Sequence, residues 1–142
     1  MKYDIFTDGC CIPNPGAGGY CAIIVQKKVK QNMICGRKVL TTNNEMELVA
    51  ILEGLKSIPT NSTAVVYTDS DLAVNWLMGS YRTKIDHIRQ TVFSIERVIA
   101  KKKLKVRFNH VPAHSGLEFN ELADKYANEE ARKIAAVKWG GY

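Results

Sequence analysis

Four carboxylates stand out for the residues around them. Asp8 follows Ile5-Phe6-Thr7 and precedes Gly9, and Asp69 follows Val65-Val66-Tyr67-Thr68 in the same manner. Both read as acids at or near the ends of buried strands, the region where ligands bind in open sheets with parallel strands. Glu47 recurs with Ala50, Ile51, Gly54, Leu55 and Ile58 at spacings of three and four, which puts its carboxylate on the packed side of a helix. Asp124 stands one turn after Asn120 and borders the stripe Phe119, Leu122, Ala123, Tyr126 and Ala127. Four such groups gathered at one end of a sheet would repel one another and resist desolvation unless cations neutralised them. A pair of Mg²⁺ ions meets that need: hard divalent cations take oxygen ligands, and two of them about 4 Å apart can activate a water and stabilise the leaving oxygen in phosphodiester cleavage. Taken singly, each acid reads more simply as a helix cap, a turn residue or a solvated group, so the chemistry rests on their convergence.

The elements that must bring them together are legible in outline. Tyr3 to Asp8 is a short strand, Cys10 to Gly19 is dense in turn residues and reads as a broad loop, and strands resume over Tyr20 to Lys28 and Gln31 to Leu40. Thr42-Asn43-Asn44-Glu45 has the form of a capping box, opening a helix that stops before Pro59. Ala64 to Tyr67 reads as a buried strand, Thr68 to Asp71 as the start of a short helix through Leu77, and Gly79 as its end. Ile85, Ile88, Val92, Ile95 and Ile99 mark a long amphipathic helix. A strand from Leu104 to His110 and a final helix from about Leu117 to Ala136 follow, the latter preceded by a second capping box, Ser115-Gly116-Leu117-Glu118. Strands alternating with helices after an initial meander imply a single α/β domain over residues 1–136, with a mixed sheet, helices on its faces and a C-terminal tail over 137–142.

Composition narrows the class. The chain has 142 residues, 46% hydrophobic and 24% charged, with a net charge of +6, which argues for an ordered globular domain and against disorder. No apolar run is long enough to span a bilayer, and acidic residues interrupt the N-terminal apolar stretch before a signal-peptide core could form. The four cysteines, at 10, 11, 21 and 35, match neither a zinc site nor a redox pair, and read as reduced thiols of a cytoplasmic protein, mostly small buried apolar groups. Adjacent Cys10 and Cys11 cannot both face inward along one strand, so at least one is expected to be accessible. The positive charge is concentrated: Arg82 to Arg107 holds nine basic residues against Asp86 and Glu96. Such a segment fits a polyanionic partner as well as it fits a solvated helix face.

In order along the chain, Thr7-Asp8-Gly9 with Asn14-Pro15-Gly16-Ala17-Gly18-Gly19-Tyr20, Thr42-Asn43-Asn44-Glu45-Met46-Glu47-Leu48, Tyr67-Thr68-Asp69-Ser70, then His114-Ser115-Gly116 and Asn120-Glu121-Leu122-Ala123-Asp124 resemble the motifs of the type 1 ribonucleases H. The resemblance covers nearly the whole chain. It implies an RNase H-like fold with a five-stranded mixed sheet, and an endonuclease that cuts the RNA strand of RNA/DNA hybrids to leave 3′-hydroxyl and 5′-phosphate ends. By matching position, Asp8, Glu47, Asp69 and Asp124 would be the catalytic acids holding two Mg²⁺ ions, with Mn²⁺ as a substitute. His114 would assist proton transfer or product release. Substrate contacts are implied at Cys11, Asn14 and Asn44 on the RNA side and at Thr42 near a DNA phosphate, in a protein acting as a monomer. His87 and His110 match no motif and read as structural.

The chain also departs from the family pattern. Glu45 stands where arginine is frequent, placing an acid near the substrate and implying weaker binding, and Asp71 stands where a neutral residue is common. Only Gly79 to Lys84 separates the two middle helices, so the chain resembles a short form without the basic handle, and its start directly at the first strand reads as the form expected to lack a preceding hybrid-binding domain. Lys101-Lys102-Lys103 and Lys27, Lys28, Lys30, Arg37 and Lys38 are then the candidates for phosphate contacts, and each reads equally well as solvated surface. Two rivals accompany this reading: a nuclease of the same fold with another substrate preference, and a noncatalytic hybrid-binding module.

Overall fold

The computed structural model describes residues 1–112 and 117–140, with residues 136–140 described by their backbone alone. Its elements follow the expected order: β1 (Lys2–Ile12), β2 (Gly16–Gln26), β3 (Val29–Thr41), α1 (Asn43–Ser57), β4 (Thr63–Thr68), α2 (Asp71–Leu77), α3 (Asp86–Lys102), β5 (Lys105–His110) and α4 (Glu118–Gly140). The five strands form one sheet in the order β3-β2-β1-β4-β5. The β1–β2 and β2–β3 pairs are antiparallel, and β1–β4 and β4–β5 are parallel. The meander sets β3, β2 and β1 side by side, and the helical crossovers add β4 and β5 parallel to β1, leaving the first strand central.

Alternation along β1 and β2 divides the interior into two layers. Ile5, Ala22 and Ile24 meet Leu48, Ile51 and Leu55 of α1, behind which Ile88 and Ile95 of α3 complete the larger core. On the opposite face Cys21, Ile23 and Val25 meet Ala123 and Ala127 of α4. There the helix approaches very closely: a Cβ on Gly19 would lie 2.5 Å from the backbone nitrogen of Ala131. Only glycine permits that approach.

Three boundaries differ from the sequence reading. The broad loop over Cys10 to Gly19 contracts to residues 13–15, because Cys10, Cys11 and Ile12 pair with Gly19, Gly18 and Ala17. The glycines that look like turn residues are strand residues: Gly18 packs against Thr41 and Met46, Gly19 lies under α4, and Gly16 sits against Pro13. β1 therefore runs on past Asp8, which is not a strand-end residue. Its parallel pairing with β4 nevertheless stops at Phe6 and Tyr67, so Asp8 still lies beyond the carboxyl end of the parallel pair. Helix α4 continues through Gly140, past the Ala136 end read from the pattern, so residues 137–140 extend a helix.

The hairpin between β2 and β3 turns on Lys27 and Lys28, both left-handed at φ 52° and 65°, the conformation that a two-residue hairpin turn demands. Between α2 and α3 the described chain holds no further helix, as expected of a form without a handle. Among the described residues no helix is long and apolar enough to cross a membrane.

Candidate active site

Each of the four acids is delivered by a different element. Asp8 comes from β1 and shares its face with Phe6, whose ring stands 5.5 Å from that of Phe119 on α4. Glu47 comes from the first turns of α1. That helix starts where it does because Thr42 Oγ1 accepts a hydrogen bond from Glu45 N at 3.2 Å, the forward half of the capping box. It can lie against β1 because residue 9 is glycine: a Cβ there would sit 2.6 Å from the Met46 carbonyl oxygen. Asp69 follows β4, held just before α2, where Ser70 Oγ caps Ala73 N at 3.1 Å. Asp124 lies in α4, with its Oδ1 3.2 Å from Asn128 Nδ2, which donates to it.

These placements converge. One oxygen from each of Asp8, Glu47 and Asp69 lies within 4.8 Å of the others. Asp124 lines a narrow cleft with Thr7, Asp8, Asp69, Asn120 and Glu121, near enough to Asp8 to raise its carboxyl. Asp8 is 6% exposed and Glu47 8% exposed. Burial, the neighbouring Asp124 and the charge of Asp69 push the Asp8 carboxyl up to about 8. Burial first, then the charges of Asp8 and Asp69, also raise Glu47 well above the usual carboxylate range. Glu47 Oε2 is buried with no hydrogen-bond partner among the described residues. A buried, orphaned carboxylate oxygen beside two further carboxylates is costly unless a cation satisfies it. Oxygen donors of this charge suit a divalent cation of the Mg²⁺ or Ca²⁺ type.

The rim next to this cluster is tied together by Asn43. Its Oδ1 accepts from Cys11 N at 2.7 Å, and its own N–H donates to Asn14 Oδ1 at 3.1 Å. Cys11, Asn14 and Thr42 are thereby gathered around the start of α1, with Asn44 beside them. The Cys11 thiol is turned inward, donating to the carbonyls of Pro13 and Thr41. Cys10, on the opposite face of β1, is half-buried, and all four cysteines are free. His114 and the second capping box fall outside the described residues. His110 bonds the backbone oxygen of Asp69 through Nε2 at 3.2 Å, a structural contact at the edge of the site.

Glu45 departs from the expectation of an acid facing substrate. It is 8% exposed and accepts hydrogen bonds from Thr41 Oγ1 and, at 3.1 Å, from Lys38 Nζ. Burial opposes its ionisation, but those two partners outweigh burial and hold the carboxyl below its ordinary range. Its charge is spent on a neighbour within the fold. The basic residues divide likewise: Arg37 pairs with Glu130, and Lys102 donates to the carbonyls of Lys56 and, at 2.8 Å, Ile58 at the end of α1. Lys102 is thus a helix cap and not a free phosphate contact.

Sequence reasoning missed two participants. Asn120 lines the cleft with a buried Oδ1 that lacks a partner among the described residues, and its position one turn before Asp124 was the available signal. Asn43 was hidden inside the capping box, where asparagine is explained by helix-start chemistry alone.

A layered α/β sheet with a cluster of acids beyond its parallel strands is an arrangement that can support metal-assisted hydrolysis. Comparison with known proteins makes this specific. The family model for RNase H matches residues 1–132. Ribonuclease HI of Campylobacter jejuni is 38% identical over 140 residues, covering 95% of each chain, and the Ribonuclease H of Neorickettsia sennetsu is 33% identical over 142 residues, covering 92% of this chain and 93% of its own. Among solved structures, the N-terminal RNase H domain of a Mycobacterium tuberculosis protein superposes with a TM-score of 0.83 at 22% identity, covering 97% and 99% of the two chains. LC11-RNase H1, solved in complex with an RNA/DNA hybrid, gives 0.77 at 24% identity, covering 94% and 99%; both agree on the fold. The chain belongs to the RNase H family, the type 1 ribonucleases H, and is a nuclease of that family.

Proposed function

We propose that this chain, with residues 1–136 as its catalytic unit, is an endonuclease that hydrolyses the RNA strand of RNA/DNA hybrids, leaving 3′-hydroxyl and 5′-phosphate ends. The observation that carries the reading is the meeting of Asp8, Glu47 and Asp69 within 4.8 Å, with Asp124 against Asp8, in a chain of the RNase H family. The four acids would hold two Mg²⁺ ions, with Mn²⁺ as a substitute, and such ions supply a lowered water pKa and charge stabilisation at the leaving oxygen.

The chain's own residues have separate tasks. Asp8 and Glu47 hold their oxygens in a buried, repulsive arrangement that favours cation uptake. Gly9 and Gly19 set the approach of the helices carrying Glu47 and Asp124. Asn14 and Asn44 offer side-chain donors and acceptors suited to a 2′-hydroxyl, beside Cys11, whose N–H is held by Asn43 Oδ1, and Thr42 stands for a DNA phosphate. His114 is the group we assign to proton transfer or product release. The cytoplasmic, monomeric state expected from the sequence belongs to the same proposal.

The test is cleavage of end-labelled RNA/DNA hybrid, RNA duplex and DNA duplex in parallel, with Mg²⁺ or EDTA. Only the hybrid should be cut, and EDTA should stop the reaction. Glu47→Gln should lower kcat by more than the roughly 10–100-fold that loss of an outer hydrogen-bond partner costs a metal site. Equal cutting of RNA duplex, or turnover in EDTA, would reject the proposal.

A further inference from the structure

The sequence treats the cysteines as unrelated, but strand register brings two of them together. Cys21 of β2 and Cys35 of β3 are direct cross-strand partners, so their side chains leave the sheet on the same face. Their sulfurs stand 2.6 Å apart. Directly opposed residues of an antiparallel pair have Cα atoms about 4.5–5.5 Å apart, inside the window that a disulfide needs. We propose that Cys21 and Cys35 form an oxidant-reactive dithiol, a modification site at which a hydroperoxide closes a disulfide that staples β2 to the sheet-edge strand β3.

The surroundings assign an order to the two thiols. β3 is the edge of the sheet, and Cys35 on it is half-buried, whereas Cys21 is 0% exposed. Peroxide therefore reaches Cys35 first. Its sulfur attacks the peroxide O–O bond, giving a sulfenic acid and releasing one water. The Cys21 sulfur then displaces the hydroxyl as a second water, so that two thiols and one hydrogen peroxide yield one disulfide and two waters. A resolving thiol already in contact traps the sulfenic acid before further oxidation. Cys10 and Cys11 have no such relation, because neighbours along one strand project to opposite faces. The staple would lie beneath α4, since both cysteines pack with Ala123 and Ala127, and Cys21 is the register partner of Asp8. Its strands already hold native register, so closure needs no rearrangement.

The experiment treats the full chain with hydrogen peroxide and follows intact mass, peptide mapping without reductant, and thermal unfolding. A loss of two hydrogens, a linked pair of peptides carrying Cys21 and Cys35, and a Tm raised by about 5–10 °C, reversed by dithiothreitol, are expected for a staple closing a loop of about 15 residues. Cys35→Ser should abolish the cross-link, and the double variant Cys10→Ser, Cys11→Ser should retain it. A Cys10–Cys11 link, over-oxidation of Cys35 without a link, no reaction, or a cross-link that leaves Tm unchanged or lowers it would each overturn the proposal.

Discussion

Replacing Asp8 by asparagine should make the metal-free protein more stable while removing its activity. In the folded chain the Asp8 carboxyl titrates at about 8 against an ordinary value of 3.8. Its proton is therefore bound more tightly folded than unfolded. Stability is highest below the unfolded value, falls as pH rises from about 4 to 8, and stays low above that. Taken alone, the shift corresponds to about 5 kcal/mol at pH 8 and about 2 kcal/mol at pH 5.5. The repulsion is shared with Glu47, whose carboxyl is raised as well and can relieve it by taking up the proton instead. A gain of about 2–4 kcal/mol at pH 8 is the expectation, or about 6–12 °C in Tm for a chain of this size. Thermal unfolding of wild type and Asp8→Asn in EDTA, at pH 8 and pH 5.5, measures it, and the gap should shrink by more than half at the lower pH. Added Mg²⁺ should raise the wild-type Tm and leave the variant nearly unmoved. A variant no more stable than wild type at pH 8, or a gap independent of pH, would refute the account of buried, mutually repelling carboxylates.

Two further substitutions probe how the acids are held. Gly9→Ala puts a methyl group against the backbone of Met46 and Glu47, so it should cost about 2 kcal/mol or more in urea unfolding and lower kcat more than it changes KM; wild-type kcat would contradict the close approach. Lys102→Met keeps the aliphatic stem but removes two charge-assisted bonds to the end of α1, with an expected loss of about 1–2 kcal/mol in the same assay and an unchanged KM for hybrid, whereas a raised KM at unchanged stability would return Lys102 to the substrate surface.

The residues themselves show why part of the site was legible in the sequence. Glu47 was readable because a carboxylate on an apolar helical stripe violates the pattern around it. Asp69 was readable because a buried strand runs straight into it. Asp8 was identified through a wrong premise, since its strand continues to Ile12; the end of parallel pairing depends on the partner strand and cannot be seen in β1 alone. The stretch Gly16 to Gly19 reads as loop because glycine serves turns and close helix contacts alike, and only the position of α4 separates the two. The pairing of Glu45 was not legible because its partner Lys38 lies on another strand, and a sequence shows the charge of a side chain but not where it points. The Cys21–Cys35 pairing depends on hairpin register, which is set by a two-residue turn and by an irregularity between Ile24 and Val25.

The seam between α4 and β2 is made at its centre of Gly19, Cys21, Ala123 and Ala127, with Ala131 buried beside them. Side chains this small let helix and strand come almost into backbone contact, so the centre of the seam behaves as a shim whose thickness sets how far the fourth acid stands from the other three. Natural variation there could detune the pocket while every acid remained in place, and an inventory of intact acids would not detect the change.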